Sequence, residues 1–402
     1  MGQRTLFLEN AKPESSVSEV AGDDWAFLRS TVPPVSISIP NREVQVVDVF
    51  CGCGGLSLGV REACRSLGFG CAVALAVDSD DAAASCFARN FADANIQSSD
   101  VGKIIDGRLG DRLTPREKHW TACVGPLDLL VGGPPCQGHS DLNNFSRRSD
   151  PKNSLYLYMG RAVEVWNPRH VLVENVVGVK KAKQNVVSQV ANRLAQLGYF
   201  VDEGFVDLWR LGVPQSRRRH VLLASRVKRI KIDEVQGLYE VPPRDLRWAI
   251  GDLKDVPPNS LLDQPAVSSP ENRERIAYLF DHDLYDLPDE QRPSCHRDKQ
   301  HSYRSIYGRL RWDRPAQTIT TGFYSMPMGR YVHPSRRRTL TAHEAARLQF
   351  FPDYFDFSAV KNRTSLARMI GNAVPMKLSY VFARELFAAE ARMQGVLGLQ
   401  AF

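Results

Sequence analysis

Between Val44 and Ala224 short β-branched, apolar runs alternate with stretches whose apolar residues recur at helical spacing, and this limits the possible folds more than any other feature. Val44 to Phe50 leads into Gly52, Gly54 and Gly55, and then into Leu56, Val60, Ala63, Cys64 and Leu67, the pattern of a strand, a glycine turn and a helix. The same spacing predicts strands over Cys71 to Val77, Leu127 to Val131, His170 to Val173 and His220 to Ala224. Helices are predicted over Asp81 to Phe91, Ser154 to Val165 and Val186 to Leu197. Repeated βαβ units imply an α/β fold, a mostly parallel sheet with helices on both faces.

Outside this stretch the pattern changes. Residues 1–40 are rich in Ser, Pro, Glu and Asp and read as a mobile leader. Residues 41–227 form the first domain. From 228 to 350 Pro-rich, charged and aromatic segments suggest a second, smaller domain, with helical signal returning at Thr341 to Phe350. Residues 351–402 end in a helix that can pack back on the first sheet. No apolar run approaches the roughly 20 residues that span a bilayer. Gly2 lacks the Ser or Thr at position 6 that myristoylation needs, since Leu6 stands there.

The eight cysteines are irregularly spaced, which suits reduced intracellular thiols better than a disulfide framework. Cys71 and Cys86, flanked by aliphatic residues, read as structural. Cys295, His296 and His301 lack a fourth ligand at zinc spacing, so no metal site is expected. The net charge of +7 is bunched at Arg147-Arg148, Lys180-Lys181, Arg217-Arg218-Arg219 and Arg336-Arg337-Arg338, which favours a polyanionic partner.

Cys136 stands apart. It follows Gly132-Gly133-Pro134-Pro135 at the end of an apolar strand. The prolines fix φ and the glycines allow a sharp turn, so the thiol is presented on a stiff loop at a strand's carboxyl end, where open α/β sheets bind ligands. The glycine turn after the first strand suits a nucleotide-like ligand. Ser57 occupies the place of the last glycine of a dinucleotide fingerprint, which argues against a nicotinamide dehydrogenase. Asp78, ending the second strand, is placed either to bind ribose hydroxyls or to cap a helix.

Pro-Pro-Cys136-Gln-Gly-His-Ser, Glu174-Asn175-Val176 and Gln215-Ser216-Arg217-Arg218-Arg219 together resemble the DNA (cytosine-5) methyltransferase family of prokaryotic type. Arg314-Pro315-Ala316-Gln317-Thr318-Ile319-Thr320, Leu340 through Gln349, and Gly371-Asn372-Ala373-Val374-Pro375 resemble its later motifs in the same order. The resemblance implies a Rossmann-like methyltransferase sheet with a target-recognition domain, S-adenosylmethionine as cofactor, and a cytosine swung out of duplex DNA as substrate. It implies cofactor contacts from Phe50, Gly52, Cys53, Gly54, Gly55, Asp78, Ser79, Asp100, Val101, Pro135, Leu155, Asn372 and Val374, and DNA contacts from Gln137, Ser140, Arg147, Arg148 and Thr320. It also implies a cytoplasmic, nucleoid-associated monomer without membrane contact, with a cognate restriction endonuclease as a candidate partner. Two departures stand out: the ribose acid is more often Glu, and His139 replaces a common Phe.

The chemistry explains these residue types. Carbon 5 of cytosine is too weak a nucleophile to attack a methyl sulfonium until a thiolate adds at carbon 6. A free thiol is only partly ionised at pH 7, a deficit of about 2 kcal/mol that nearby arginines can reduce. Relief of charge at ring nitrogen 3 calls for a protonated carboxyl, and an ordinary Glu is ionised at pH 7 by about 3.7 kcal/mol. Glu174 is therefore expected to be desolvated, or to share a proton with the base, while accepting from the exocyclic amine. Arg217 and Arg219, two apart, should point to one side of a strand toward the base carbonyl and flanking phosphate, with Arg218 facing away.

No residue is an obvious base for the carbon 5 proton, and a water can serve. Residues 137–153 suit a loop that closes over DNA. The competing readings are a tRNA cytosine-5 methyltransferase, for which the Cys-Phe-Thr element is missing, and a catalytically silent DNA-binding relative, which would leave Cys136, Glu174 and Arg219 idle.

Overall fold

The computed structural model describes residues 24–35, 42–135, 155–181, 185–297 and 305–393. Seven strands make one sheet: β1 (Glu43–Val49), β2 (Gly70–Asp78), β3 (Ile96–Ser98), β4 (Leu129–Gly132), β5 (His170–Val176), β6 (Phe200–Asp207) and β7 (Arg218–Ser225), in the order β3-β2-β1-β4-β5-β7-β6. Strand order reverses between β1 and β4, so a crevice opens beyond their carboxyl ends.

The period of two along each strand divides the core. Val46, Val131, Leu172 and Leu223 belong to the face covered by α2 (Gly55–Ser66) and α12 (Met376–Met393). Val47, Leu130, Val173 and Leu222 belong to the face covered by α5 (Leu155–Trp166) and α6 (Val186–Gln196). The tail thus returns to the first domain, where the Ser379 hydroxyl donates to Leu56 O at 2.8 Å.

One strand runs the other way. After β6 the chain turns through Leu208–Leu211 and Gly212 (φ 83°) and comes back as β7, antiparallel to both neighbours. Its first residues therefore arrive at the edge where the parallel strands end, with Arg219 paired to Val176. Neither β6 nor β3 follows from the spacing. β3 is only three residues long, and β6 carries Asp202, Glu203 and Gly204 on a half-exposed edge. The helix α4 (Pro115–Val124) was also missed, although Thr114 and Glu117 form a capping box that marks its start.

Part of the segment read as a leader is folded. Residues 24–29 form a helix, α1, with Leu28 fully buried. Asp24 accepts from Lys377 Nζ at 2.6 Å and lies 2.8 Å from Arg244, anchoring α1 to α12. A six-residue helix is too short to show a period, which is why the composition of residues 1–40 hid it. A second apolar cluster lies apart from the main one. Ile276, Leu279, Leu287, Tyr307, Met326 and Val332 make a separate cluster, whereas Ile232, Val235, Leu246 and Ile250 pack into the core of the main sheet. Among the described residues no helix is long and apolar enough to cross a membrane, and no group of three His, Cys, Asp or Glu could hold a metal.

Glu390 pins the far end of α12 to the sheet. It lies 2.9 Å from Arg42 and 3.4 Å from His170, and also pairs with Arg169. Burial alone would raise its pKa, but the hydrogen bonds from His170 and Arg42 and the charge of Arg42 outweigh it and hold the carboxyl at about 2. A pKa depressed in the folded state stabilises fully above the ordinary value of 4.5 and is lost as pH falls towards 2. Urea unfolding across that window should show a steeper acid loss for the wild type than for Glu390→Gln; parallel curves would refute this.

Candidate active site

The glycine turn after β1 is left-handed at Phe50 (φ 61°), Gly52 (φ 55°) and Gly54 (φ 101°). Gly54 N-caps α2 and supplies no side-chain cap, and in the first turn the Ser57 amide is turned to Asp48. Gly52 N donates to Asp78 Oδ2 at 2.9 Å, and Asp80 N to Asp78 Oδ1 at 2.9 Å. Asp78 is therefore not the helix cap. That role falls to Asp80, whose side chain accepts from Ala82 and Ala83 at the start of α3 (Asp81–Asn90). Burial raises the Asp78 pKa, and the amides of Asp80 and Gly52 oppose that rise.

Val374, between α11 (Arg363–Asn372) and α12, closes on the loop: a Cβ on Gly55 would lie 2.4 Å from Val374 O. The exposed Asn372 is two residues away. Phe50 and Leu155 pack against the same apolar cluster. Cys53 is buried, Ser79 is exposed beside Asp78, Val101 is buried, and the exposed Asp100 accepts from Gly102 N at 2.8 Å. The amides that open α2, the Asp78 carboxylate and the apolar wall suit a ligand that carries a carboxylate, hydroxyls and a flat ring.

Asp48 was missed by the sequence reading. It is fully buried at the end of β1, accepts from the Ser57 hydroxyl at 2.6 Å through Oδ2, and leaves Oδ1 without a hydrogen bond. Burial, opposed by Ser57 and assisted by the charge of Asp78, pushes its pKa up to about 7. Ser57 thus has a purpose where a dinucleotide fingerprint has glycine. The signal was an acid inside an otherwise apolar strand.

The other half of the site gathers at β4, β5 and β7. Glu174 is buried, and its Oε1 lies 2.8 Å from Arg219 Nε, an ion pair by distance rather than an aligned hydrogen bond. Its Oε2 faces Gly133, where a Cβ would come within 3.4 Å of it and within 3.6 Å of Val374. Asn175 Nδ2 donates to Pro134 O at 3.1 Å and ties the two-proline segment to β5. Pro134 is buried, and Pro135 is exposed.

Arg217 lies on the Arg219 side of the chain but deeper, with Nη1 donating to Ile319 O at 3.2 Å and Nε unpaired. Burial, with the Arg219 charge adding to it, drives its pKa well below the ordinary arginine value. Arg218 faces away, over the Phe205 ring at 5.0 Å. Thr320 exchanges a hydrogen bond with Tyr331 at 2.8 Å.

Two buried amides, given no role by the sequence reading, lock these pieces together. Gln215 Nε2 donates to Leu348 O at 2.7 Å and to Gln349 Oε1 at 2.8 Å, and Gln215 Oε1 accepts from Ile319 N at 3.0 Å. Gln349 Nε2 in turn donates to Ile370 O at 2.6 Å. Cys136, Gln137, His139, Ser140, Arg147 and Arg148 lie outside the described residues, as does His301 of the dismissed metal trio.

Residues 44–388 match the family model described as C-5 cytosine-specific DNA methylase. The chain is 43% identical over 379 residues to the type II methyltransferase M1.BsuMI of Bacillus subtilis (strain 168), covering 94% of this chain and 87% of that protein. It is 32% identical over 359 residues to the type II methylase M.HgiDII of Herpetosiphon aurantiacus, covering 85% of this chain and 94% of the relative. The crystal structure of the S. pombe Dnmt2 methyltransferase superposes with a TM-score of 0.60, covering 86% of this chain and 98% of that one; at 19% identity this speaks for the fold alone.

Proposed function

Since the chain belongs to the C-5 cytosine-specific DNA methylase family, we propose that it transfers a methyl group from S-adenosylmethionine to carbon 5 of a cytosine held out of duplex DNA at one particular sequence. The type II names of the two bacterial relatives support a specific duplex site, with a cognate restriction endonuclease as partner. The observation that carries the mechanism is the meeting of Glu174, Arg219 and the Gly133-to-Pro135 segment at one sheet edge, one residue short of Cys136.

Bound S-adenosylmethionine supplies an electrophilic methyl group. The amides that open α2 would hold its carboxylate, and Asp78 would take the ribose hydroxyls. The Cys136 thiolate bonds to carbon 6 of the ring, and the displaced electron pair builds up towards nitrogen 3. Glu174 shares a proton with nitrogen 3 through Oε2, the oxygen turned away from Arg219, and accepts from the exocyclic amine. Arg219 fixes the rotamer of Glu174. Carbon 5, now electron-rich, would accept the methyl group as its bond to the sulfonium breaks, the sulfur leaving as a neutral thioether. Water removes the carbon 5 proton, the 5,6 double bond re-forms, and Cys136 leaves as thiolate.

Incubation with methyl-labelled S-adenosylmethionine, duplex DNA and tRNA tests this. Label on carbon 5 of cytosine at a defined DNA sequence is expected. Label confined to tRNA would overturn it.

A further inference from the structure

A cleft of about 410 Å³, within the size range of small-molecule sites, opens where α1 meets the short helix Leu246–Ile250. It shares no residue with the glycine turn, Asp78 or the Glu174 edge. Two tryptophans, Trp25 and Trp312, line it together with Arg29, Arg247 and Lys254, and Asp252 is the one acid on its walls. Trp25 is 49% exposed, although Leu28 and Phe27 of the same helix pack into the main core. The Arg29 guanidinium lies over the Trp25 ring at 4.2 Å, and that of Arg247 lies 5.7 Å from the centre of the Trp312 ring.

The walls are held in place by the surrounding backbone. Arg247 N donates to Trp312 O at 3.1 Å, Arg29 Nη2 donates to Trp248 O at 2.7 Å, and the Trp312 ring stands edge-on to the buried His333 ring at 5.2 Å. Charge, in contrast, is unbalanced. Asp252 is committed to Arg29 at 2.7 Å and to the buried Arg347 at 3.3 Å. Asp255 is shared between Lys254, 3.8 Å away, and Arg336. Among the described residues no carboxylate lies within ion-pair distance of the exposed Arg247. Nε and Nη1 of Arg29 are buried without an acceptor, a cost that a nearby anion reduces.

Aromatic faces beside uncompensated cations are the chemistry that holds single nucleotides, since rings stack on the faces and phosphates meet the cations. We propose that this cleft is a second ligand site, for a nucleoside phosphate, with the base stacked on Trp25 and Trp312 and the phosphate on Arg247 and Lys254. A free nucleotide and the unpaired end of a strand carry the same group, and either can supply it. The same cations disfavour a positively charged ligand.

The test is calorimetric titration of the full chain with AMP and with adenosine, under saturating S-adenosylhomocysteine so that the loop after β1 does not take the ligand. AMP should bind the wild type. Trp25→Ala should weaken it roughly 5- to 150-fold, the usual effect of removing one base–aromatic stack, and Trp25→Phe should keep most of the affinity. Arg247→Ala should weaken AMP roughly 10-fold or more and leave adenosine unchanged. Both side chains are exposed, so neither variant empties the core. A single-stranded oligothymidylate that displaces AMP assigns the site to a strand end, and one that does not assigns it to free nucleotide. No binding of AMP by the wild type, equal affinity in wild type and both alanine variants, an equal loss of AMP and adenosine in Arg247→Ala, or displacement of AMP by an equal concentration of inorganic phosphate overturns the proposal.

Discussion

Cys136→Ser should bind its DNA about as tightly as the wild type and transfer no detectable methyl groups. Oxygen replaces sulfur at the atom proposed to add to carbon 6. A thiol lies only about 2 kcal/mol from its reactive anion at pH 7, whereas an alcohol lies far beyond that. Label transfer and gel-shift titration measure the two halves of the statement separately. A companion measurement uses duplex DNA with 5-fluorocytosine at the target. With fluorine in place of the departing proton, methyl transfer leaves the sulfur–carbon bond in place, so a complex stable to denaturation should form with wild type and not with the variant. Turnover within a few-fold of wild type would refute the mechanism.

Glu174→Gln should lower the methylation rate by roughly 10²- to 10⁴-fold, the usual contribution of a positioned proton donor. The amide keeps the shape and can still face Gly133, but it cannot shuttle a proton to nitrogen 3. It also removes the anionic partner of Arg219. The loss should appear in single-turnover rates with saturating DNA, which separates it from weakened binding. A variant with unchanged rate and raised KM would show that Glu174 only binds the base.

Much of this fold was legible because β1, β2, β4 and β5 are apolar and β-branched and most are followed by helices of clear period. The reversal of β7 was not legible. Antiparallel pairing leaves no mark on the apolar pattern of His220 to Ala224, yet it delivers Arg219 to the edge occupied by Glu174. Asp78 could be read as ribose ligand or helix cap from its position, and only the placement of Asp80 decided who caps the helix. The roles of Asp48, Gln215 and Gln349 were not legible for a common reason. A buried polar residue is recognised by its partners, and theirs lie between nine and more than a hundred positions away in the chain.

The excursion that builds the smaller core leaves and re-enters the main body at neighbouring points. Leu246 N donates to Arg314 O at 3.0 Å, Arg247 N to Trp312 O at 3.1 Å, and Gln215 bridges to Ala316. Outgoing and incoming backbones are stitched side by side before either reaches the reacting groups. Whatever is spliced between them is a cassette whose length can change without parting the two backbones beneath.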